Sequence, residues 1–200
     1  MLAVAILAAS PVATADRSLP RARLRESATA PSPPPRLTAR RLRPRPGAVS
    51  PGTAVSSNYL FPDRVFANSR VGFALANVES AQYPARSVDG GRSWHLDGPQ
   101  VHVDAADGPE GVGYVGVAGT RTFFAYGSSA VDVTTDGGRV WWETFLGELV
   151  VAVVPGPGTR LVAYVQEQLD PTGITPAATW QYVSRDGGRQ WIYSSALGGS

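Results

Sequence analysis

The chain has 200 residues, 43% of them apolar, which supplies one ordinary core and excludes wholesale disorder. It has no cysteine, which excludes a disulfide framework, thiol chemistry and any cysteine-ligated metal. The net charge of +2 hides a split: nine arginines between residues 16 and 46 meet only Asp16 and Glu26, whereas the nine that follow meet fourteen acids. A folded basic face for nucleic acid is therefore not expected.

Residues 1–15 fit a secretory signal. Leu2–Ala9 is an apolar run of h-region length, and Ala13-Thr14-Ala15 has the small-x-small form of a cleavage site, although the basic n-region is missing. The run is far short of the ~20 apolar residues of a membrane span, so export without a transmembrane segment is expected. Residues 16–56 predict a disordered Arg/Pro-rich linker. Pro31, Pro33, Pro34, Pro35, Pro44, Pro46 and Pro51 interrupt helices, and few large apolar side chains offset the entropy of ordering. Its arginines suit either a solvated spacer or contact with an anionic surface.

Residues 57–200 carry an internal repeat. Ser87-Val88-Asp89-Gly90-Gly91-Arg92-Ser93-Trp94, Thr134-Thr135-Asp136-Gly137-Gly138-Arg139-Val140-Trp141 and Ser184-Arg185-Asp186-Gly187-Gly188-Arg189-Gln190-Trp191 all fit [S/T]-x-D-x-G-x-x-W. Asp-Gly between β-prone runs is a strong hairpin signal, because glycine accepts the positive φ of a tight turn. The aspartate can accept backbone N–H bonds a few residues onward, and the Ser or Thr hydroxyl can tie the incoming strand to the same turn. The tryptophan then packs its large apolar face under the hairpin. The aspartates stand 47 and 50 residues apart, close to the ~40–50 of four-stranded repeats.

Alternation and β-branched or aromatic content predict twelve strands in three sets. The first comprises Arg64–Phe66, Val71–Ala76, Tyr83–Val88 and Ser93–Leu96; the second Gly113–Val117, Thr122–Tyr126, Val131–Thr135 and Val140–Phe145. The third comprises Leu149–Val154, Arg160–Glu167, Trp180–Ser184 and Gln190–Tyr193. No stretch has a sustained helical period. Strand parity places two long connections, 97–112 and 168–177, at the end opposite the Asp-Gly-Gly turns. The candidate binding residues there are His102, Asp104, Asp107, Glu110 and Asp170, beside Asp97. Such carboxylates suit acid/base work on a glycoside, a hard cation, or plain solvated turns. His95 and His102 lack metal-ligand spacing, so no metal site and no cofactor is expected.

The octets resemble the Asp box, or BNR repeat, of sialidases and other β-propeller proteins. They are also similar to the repeats of the propeller-type assembly factor for photosystem II. The resemblance implies an all-β fold of three four-stranded antiparallel blades, about 57–97, 111–147 and 148–195, behind a disordered tail. It implies a structural role for Ser87, Asp89, Gly91 and Trp94, for Thr134, Asp136, Gly138 and Trp141, and for Ser184, Asp186, Gly188 and Trp191. In that family the box closes the turn between strands three and four, on the face opposite the active site. Three blades are fewer than the four to eight of a closed ring, so a partial or open ring is expected. A fragment, completion by other subunits and an open, capped stack all stay available, with self-association through open blade faces as one consequence. The sialidase Arg-Ile-Pro segment is absent and no arginine matches the carboxylate clamp, so no catalytic residue is carried over. The expected function is a secreted, non-catalytic binding or scaffolding module for a glycan or an envelope protein. The alternative is an exo-sialidase or related glycoside hydrolase.

Overall fold

A computed structural model of the chain describes residues 36–103, 113–166 and 178–197. The expected signal, 1–15, and the first part of the expected linker, 16–35, lie outside the described residues. Among the described residues the fold is all-β, with one short 3-10 turn at Ser57–Tyr59. None of their helices is long and apolar enough to cross a membrane.

The linker expectation fails from residue 36 onward. Three two-residue strands, β1 (Leu37–Thr38), β2 (Arg40–Arg41) and β3 (Ala54–Val55), precede the repeats. Twelve further strands match the three predicted sets: β4 (Leu60–Phe66), β5 (Gly72–Val78), β6 (Ala81–Ser87) and β7 (Trp94–Leu96); β8 (Tyr114–Val117), β9 (Phe123–Gly127), β10 (Ala130–Thr134) and β11 (Trp142–Phe145); and β12 (Leu149–Pro155), β13 (Leu161–Gln166), β14 (Thr179–Ser184) and β15 (Gln190–Leu197). Each set is an antiparallel meander, and each gains a fifth strand from the early segment. The orders are β3-β7-β6-β5-β4 (sheet 1), β2-β11-β10-β9-β8 (sheet 2) and β1-β15-β14-β13-β12 (sheet 3).

Residues 36–55 thus form a strap that laces the last strand of every sheet, taking sheet 3 first and sheet 1 last. The cause is the unpaired edge each meander would otherwise leave. Arg40 and Arg41 pair with Glu143 and Trp142, and Leu37 pairs with Trp191. The Leu42 amide donates to the Trp141 carbonyl at 2.9 Å, and the Leu42 side chain is buried. Two-residue strands are too short for any alternation to register in the sequence.

The three Asp-Gly-Gly turns share one hydrogen-bond pattern. In the first, the Ser87 hydroxyl donates to Asp89 Oδ1 at 2.8 Å and accepts from the Gly91 amide at 2.8 Å, while Asp89 Oδ1 accepts from the Arg92 and Ser93 amides at 3.0 Å. Thr134, Asp136 and Gly138 repeat it, with Val140 donating to Asp136 at 3.0 Å. Ser184, Asp186 and Gly188 repeat it again, with Arg189 and Gln190 as donors. Trp94, Trp141 and Trp191, which follow these turns, are all buried. Trp94 and Trp191 donate from Nε1 to their own turns, to Gly91 and Gly188 carbonyls at 3.1 Å. Trp141 instead donates to the Asp97 carbonyl at 2.9 Å, tying sheet 2 to the segment that leaves sheet 1.

Sheets pack face to face. Phe73 and Leu75 of sheet 1 meet Phe123, Ala125 and Trp141 of sheet 2. On the other side of sheet 2, Phe124, Val131 and Val133 meet Leu161, Ala163, Val165 and Trp191 of sheet 3. The remaining face of sheet 1, with Ala74, Ala76, Tyr83, Ala85 and Leu96, is buried, and Ala48, Val49 and Val55 of the strap pack against it. Of the two open faces expected for a three-sheet stack, this one is therefore covered.

Candidate functional site

Register exposes one break in the repeat. Two residues before each octet, and two after its tryptophan, lie cross-strand partners on the same sheet face. In sheet 1 they are Ala85 and Leu96, and in sheet 3 Tyr182 and Tyr193, whose rings meet edge-on at 5.9 Å. In sheet 2 they are Asp132 and Glu143. Like charges directly opposite each other are unfavourable, and burial raises the cost further. Both carboxylates are buried. A core position given to such a pair is where the demands of folding alone fail to explain the residues.

The surroundings are built from three segments. The row continues onto the strap, where Arg40 stands opposite Glu143 and its Nε bonds Glu143 Oε2. His102 arrives on the connection that leaves sheet 1 and packs through Val101 and Val103 into the core. Its backbone N–H donates to Asp132 Oδ2 at 3.2 Å, and its Nδ1 lies 3.1 Å from Glu143 Oε1. His102 Nε2 faces a guanidinium nitrogen of Arg45, a group that can only donate. Nε2 is thus the acceptor, Nδ1 carries the proton, and that proton is donated to Glu143. Both oxygens of Glu143 are engaged.

Asp132 has the opposite character. Burial, then the neighbouring Glu143 charge, pushes its carboxyl well above the usual carboxylate range, against the opposing pull of the His102 amide and Arg40. Its Oδ1 is buried and has no partner among the described residues. The two acids differ in their partners: Asp132 takes one backbone N–H from His102, whereas Glu143 is held by the Arg40 guanidinium and the His102 ring.

A cleft of about 470 Å³ opens over this group, lined by Leu37, Arg40, His102, Ser129, Glu143 and Phe145 among others. Its walls grade from a buried floor to an open rim: the Glu143 side chain is 7% exposed, that of Arg40 is 72% exposed, and Phe145 is 65% exposed. The size lies within the ordinary range for small-ligand sites.

His102 is thus the one predicted binding residue that the described structure brings to this cleft. Asp104, Asp107, Glu110 and Asp170 lie outside the described residues. Asp97 sits elsewhere, in a second cleft of about 320 Å³ with Arg86, His95, Gly138 and Arg139 between sheet 1 and the sheet 2 turn. Asp132, Glu143, Arg40 and Phe145 escaped the sequence reading. Aligning the three octets column by column would have shown the first two, since Ala, Asp and Tyr share one column and Leu, Glu and Tyr the other. Among the described residues no group of three or more His, Cys, Asp or Glu is placed to hold a metal. Against family models, curated proteins and solved structures, the chain matches none.

Proposed function

We propose that the three sheets are blades of a propeller-type module of the Asp-box kind, exported, and that it binds a glycan at the Asp132–Glu143 cleft. The observation that carries the reading is the two-carboxylate break in an otherwise apolar repeat column, set beneath an exposed aromatic ring. A sugar presents an apolar C–H face and a rim of hydroxyls. Phe145 offers the first an exposed ring to lie on, and Arg40, Ser129 and His102 with its bound carboxylate offer the second donors and acceptors. The blade interpretation is supported by the consecutive meanders, their face-to-face stacking, and one corner pattern written three times.

The enzyme alternative has the acid pair itself in its favour, because glycoside hydrolysis uses two neighbouring carboxyl groups. Binding is favoured over turnover because Asp132 is fully buried and both Glu143 oxygens are occupied. Neither group reaches a leaving-group oxygen without dismantling its contacts.

Calorimetric titration with a panel of neutral and acidic oligosaccharides tests this. A saccharide should bind, and Phe145→Ala should weaken it about tenfold while leaving the melting temperature within about a degree, as fits an exposed side chain. Silence across the panel, or Phe145→Ala binding as the parent does, defeats the site. Steady hydrolysis of a fluorogenic sialoside or related glycoside, abolished by Glu143→Gln, would replace binding with catalysis.

A further inference from the structure

The acidic balance after residue 46 conceals a second segregation of charge. Gly90, Gly137 and Gly187, inside the three corners, donate to the Arg70, Arg121 and Thr159 carbonyls at 2.8, 2.9 and 2.9 Å, so each corner sits beside the first turn of its own sheet. Arg92, Arg139 and Arg189 hold one octet position, and Arg70, Arg121 and Arg160 lie on the neighbouring turns; all six are exposed. None of them joins an ion pair among the described residues. Asp89, Asp136 and Asp186 are held inside their own corners by hydroxyls and backbone amides. This end of the stack is therefore basic.

Between the first two corners the repeat breaks again. The residue before the octet is Val133 in sheet 2 and Val183 in sheet 3, but Arg86 in sheet 1. The third residue past the tryptophan is Thr144 or Ser194 in those sheets, but Asp97 in sheet 1. Between sheets 2 and 3, Val133 is buried against Gly188, and Thr144 Oγ1 donates to the Gly188 carbonyl at 3.4 Å. Between sheets 1 and 2 the charged pair instead walls a cleft of about 320 Å³, with His95 and Arg139. Arg86 donates to the Gly137 carbonyl at 3.2 Å, yet its Nε and Asp97 Oδ2 are buried without partners among the described residues. Two charged groups where valine and threonine suffice are not explained by folding.

We propose that this end binds an acidic polysaccharide, one uronate ring of which enters the cleft. Arg86 and Arg139 offer the planar forks that match a carboxylate. Asp97 beside them calls for a hydroxyl next to that carboxylate, which a uronate has and the methylene stem of an acidic peptide side chain lacks. The outer arginines recur from sheet to sheet, at intervals of about 10 Å, and meet the carboxylates of further sugars. Single-stranded nucleic acid would need aromatic rings to stack on, and among the described residues no Phe, Tyr or Trp lines the cleft. A duplex or a bilayer reaches the outer arginines but not Arg86, held between two turns. The Asp132–Glu143 cleft opens at the other end of sheet 2, where Ala130 pairs with Phe145, and takes no part.

Calorimetric titration of the full chain with tetragalacturonate, at about 20 mM and about 200 mM salt, tests this. Binding should be tighter at the lower salt, and the uncharged methyl ester of the same oligomer should not bind. Arg139→Gln should weaken binding about tenfold with an unchanged melting temperature, since its side chain is exposed. Arg86→Met, which returns that position to an apolar residue, should abolish binding; where it does not fold, Arg139→Gln decides. Arg64→Gln and Phe145→Ala, away from this end, should bind as the parent does. No binding at the lower salt, equal binding of the ester, or a loss caused by Phe145→Ala instead of Arg139→Gln overturns the site. Polyglutamate or a DNA oligomer binding as tightly, with the same dependence on Arg139, overturns the saccharide assignment.

Discussion

Trp141→Ala is expected to lower the unfolding free energy by about 3–5 kcal/mol, read from urea denaturation at neutral pH. The ring is fully buried between sheets 1 and 2, stacked on Phe73 at 5.8 Å, which in turn stacks on Phe123 at 5.1 Å. Its loss leaves a cavity in the cluster that joins those sheets. It also orphans the Asp97 carbonyl, which takes the indole N–H at 2.9 Å. Trp141→Phe separates the two contributions. It keeps much of the volume and removes the donor, so a loss of about 1–3 kcal/mol is expected from the unpaired carbonyl. A change within about 0.5 kcal/mol for Trp141→Ala would place the ring at the surface and contradict the seam.

That seam also marks how far the sequence could be read. The three octets announced themselves because a tight turn demands glycine at positive φ, an acceptor at fixed distance and a large buried ring, and no other residues serve. The twelve meander strands followed from alternation between those corners. The strap did not, because Leu37–Thr38, Arg40–Arg41 and Ala54–Val55 are pairs whose pairing is decided by distant strand edges rather than by their own composition. Arginine and proline between them look like spacer chemistry in any local window. The hairpin at Glu79 and Ser80, both at positive φ, was hidden for a similar reason: neither is the glycine or asparagine that such a turn favours. The cleft was half visible. His102 was singled out for its loop, whereas Asp132 and Glu143 sit in strands, where alternation alone assigns them no role. Their meaning appears only when register sets them against Ala85 and Leu96, and against Tyr182 and Tyr193.

Asp97→Asn should stabilise the protein at pH 8 and leave it nearly unchanged at pH 4. Gly138 lies at φ +94°, a conformation glycine adopts freely, and a methyl there would overlap the Asp97 carboxyl, so that carboxyl is pressed against backbone and shielded from water. Burial pushes it up to about 7; Arg86 opposes the rise and Asp136 adds to it. Its Oδ2 has no partner among the described residues, nor has Arg86 Nε, although Arg86 donates to the Gly137 carbonyl at 3.2 Å and lies over the Phe123 ring. The sign follows from proton uptake. Between the ordinary value near 4 and about 7, the folded state holds a proton that the unfolded chain has released, so stability falls as pH rises through that window and levels off above it. Asp132, also raised by burial, acts in the same sense. Asp89 acts oppositely: its hydrogen bonds to Ser93 and Ser87 hold it low, and its contribution is lost only as pH falls below the ordinary carboxylate range. A rise from about 4 to about 7 corresponds to ~4 kcal/mol at most, and Arg86 tempers it, so roughly 1–3 kcal/mol is expected for Asp97→Asn at pH 8. In a chain of this size that is a rise of about 3–10 °C in melting temperature. Paired melts at pH 4 and pH 8 check the result. An equal gain at both would trace it to packing, and a loss at pH 8 would mean that Arg86 pairs with an ionised Asp97, so that the seam is held together by charge instead of in spite of it.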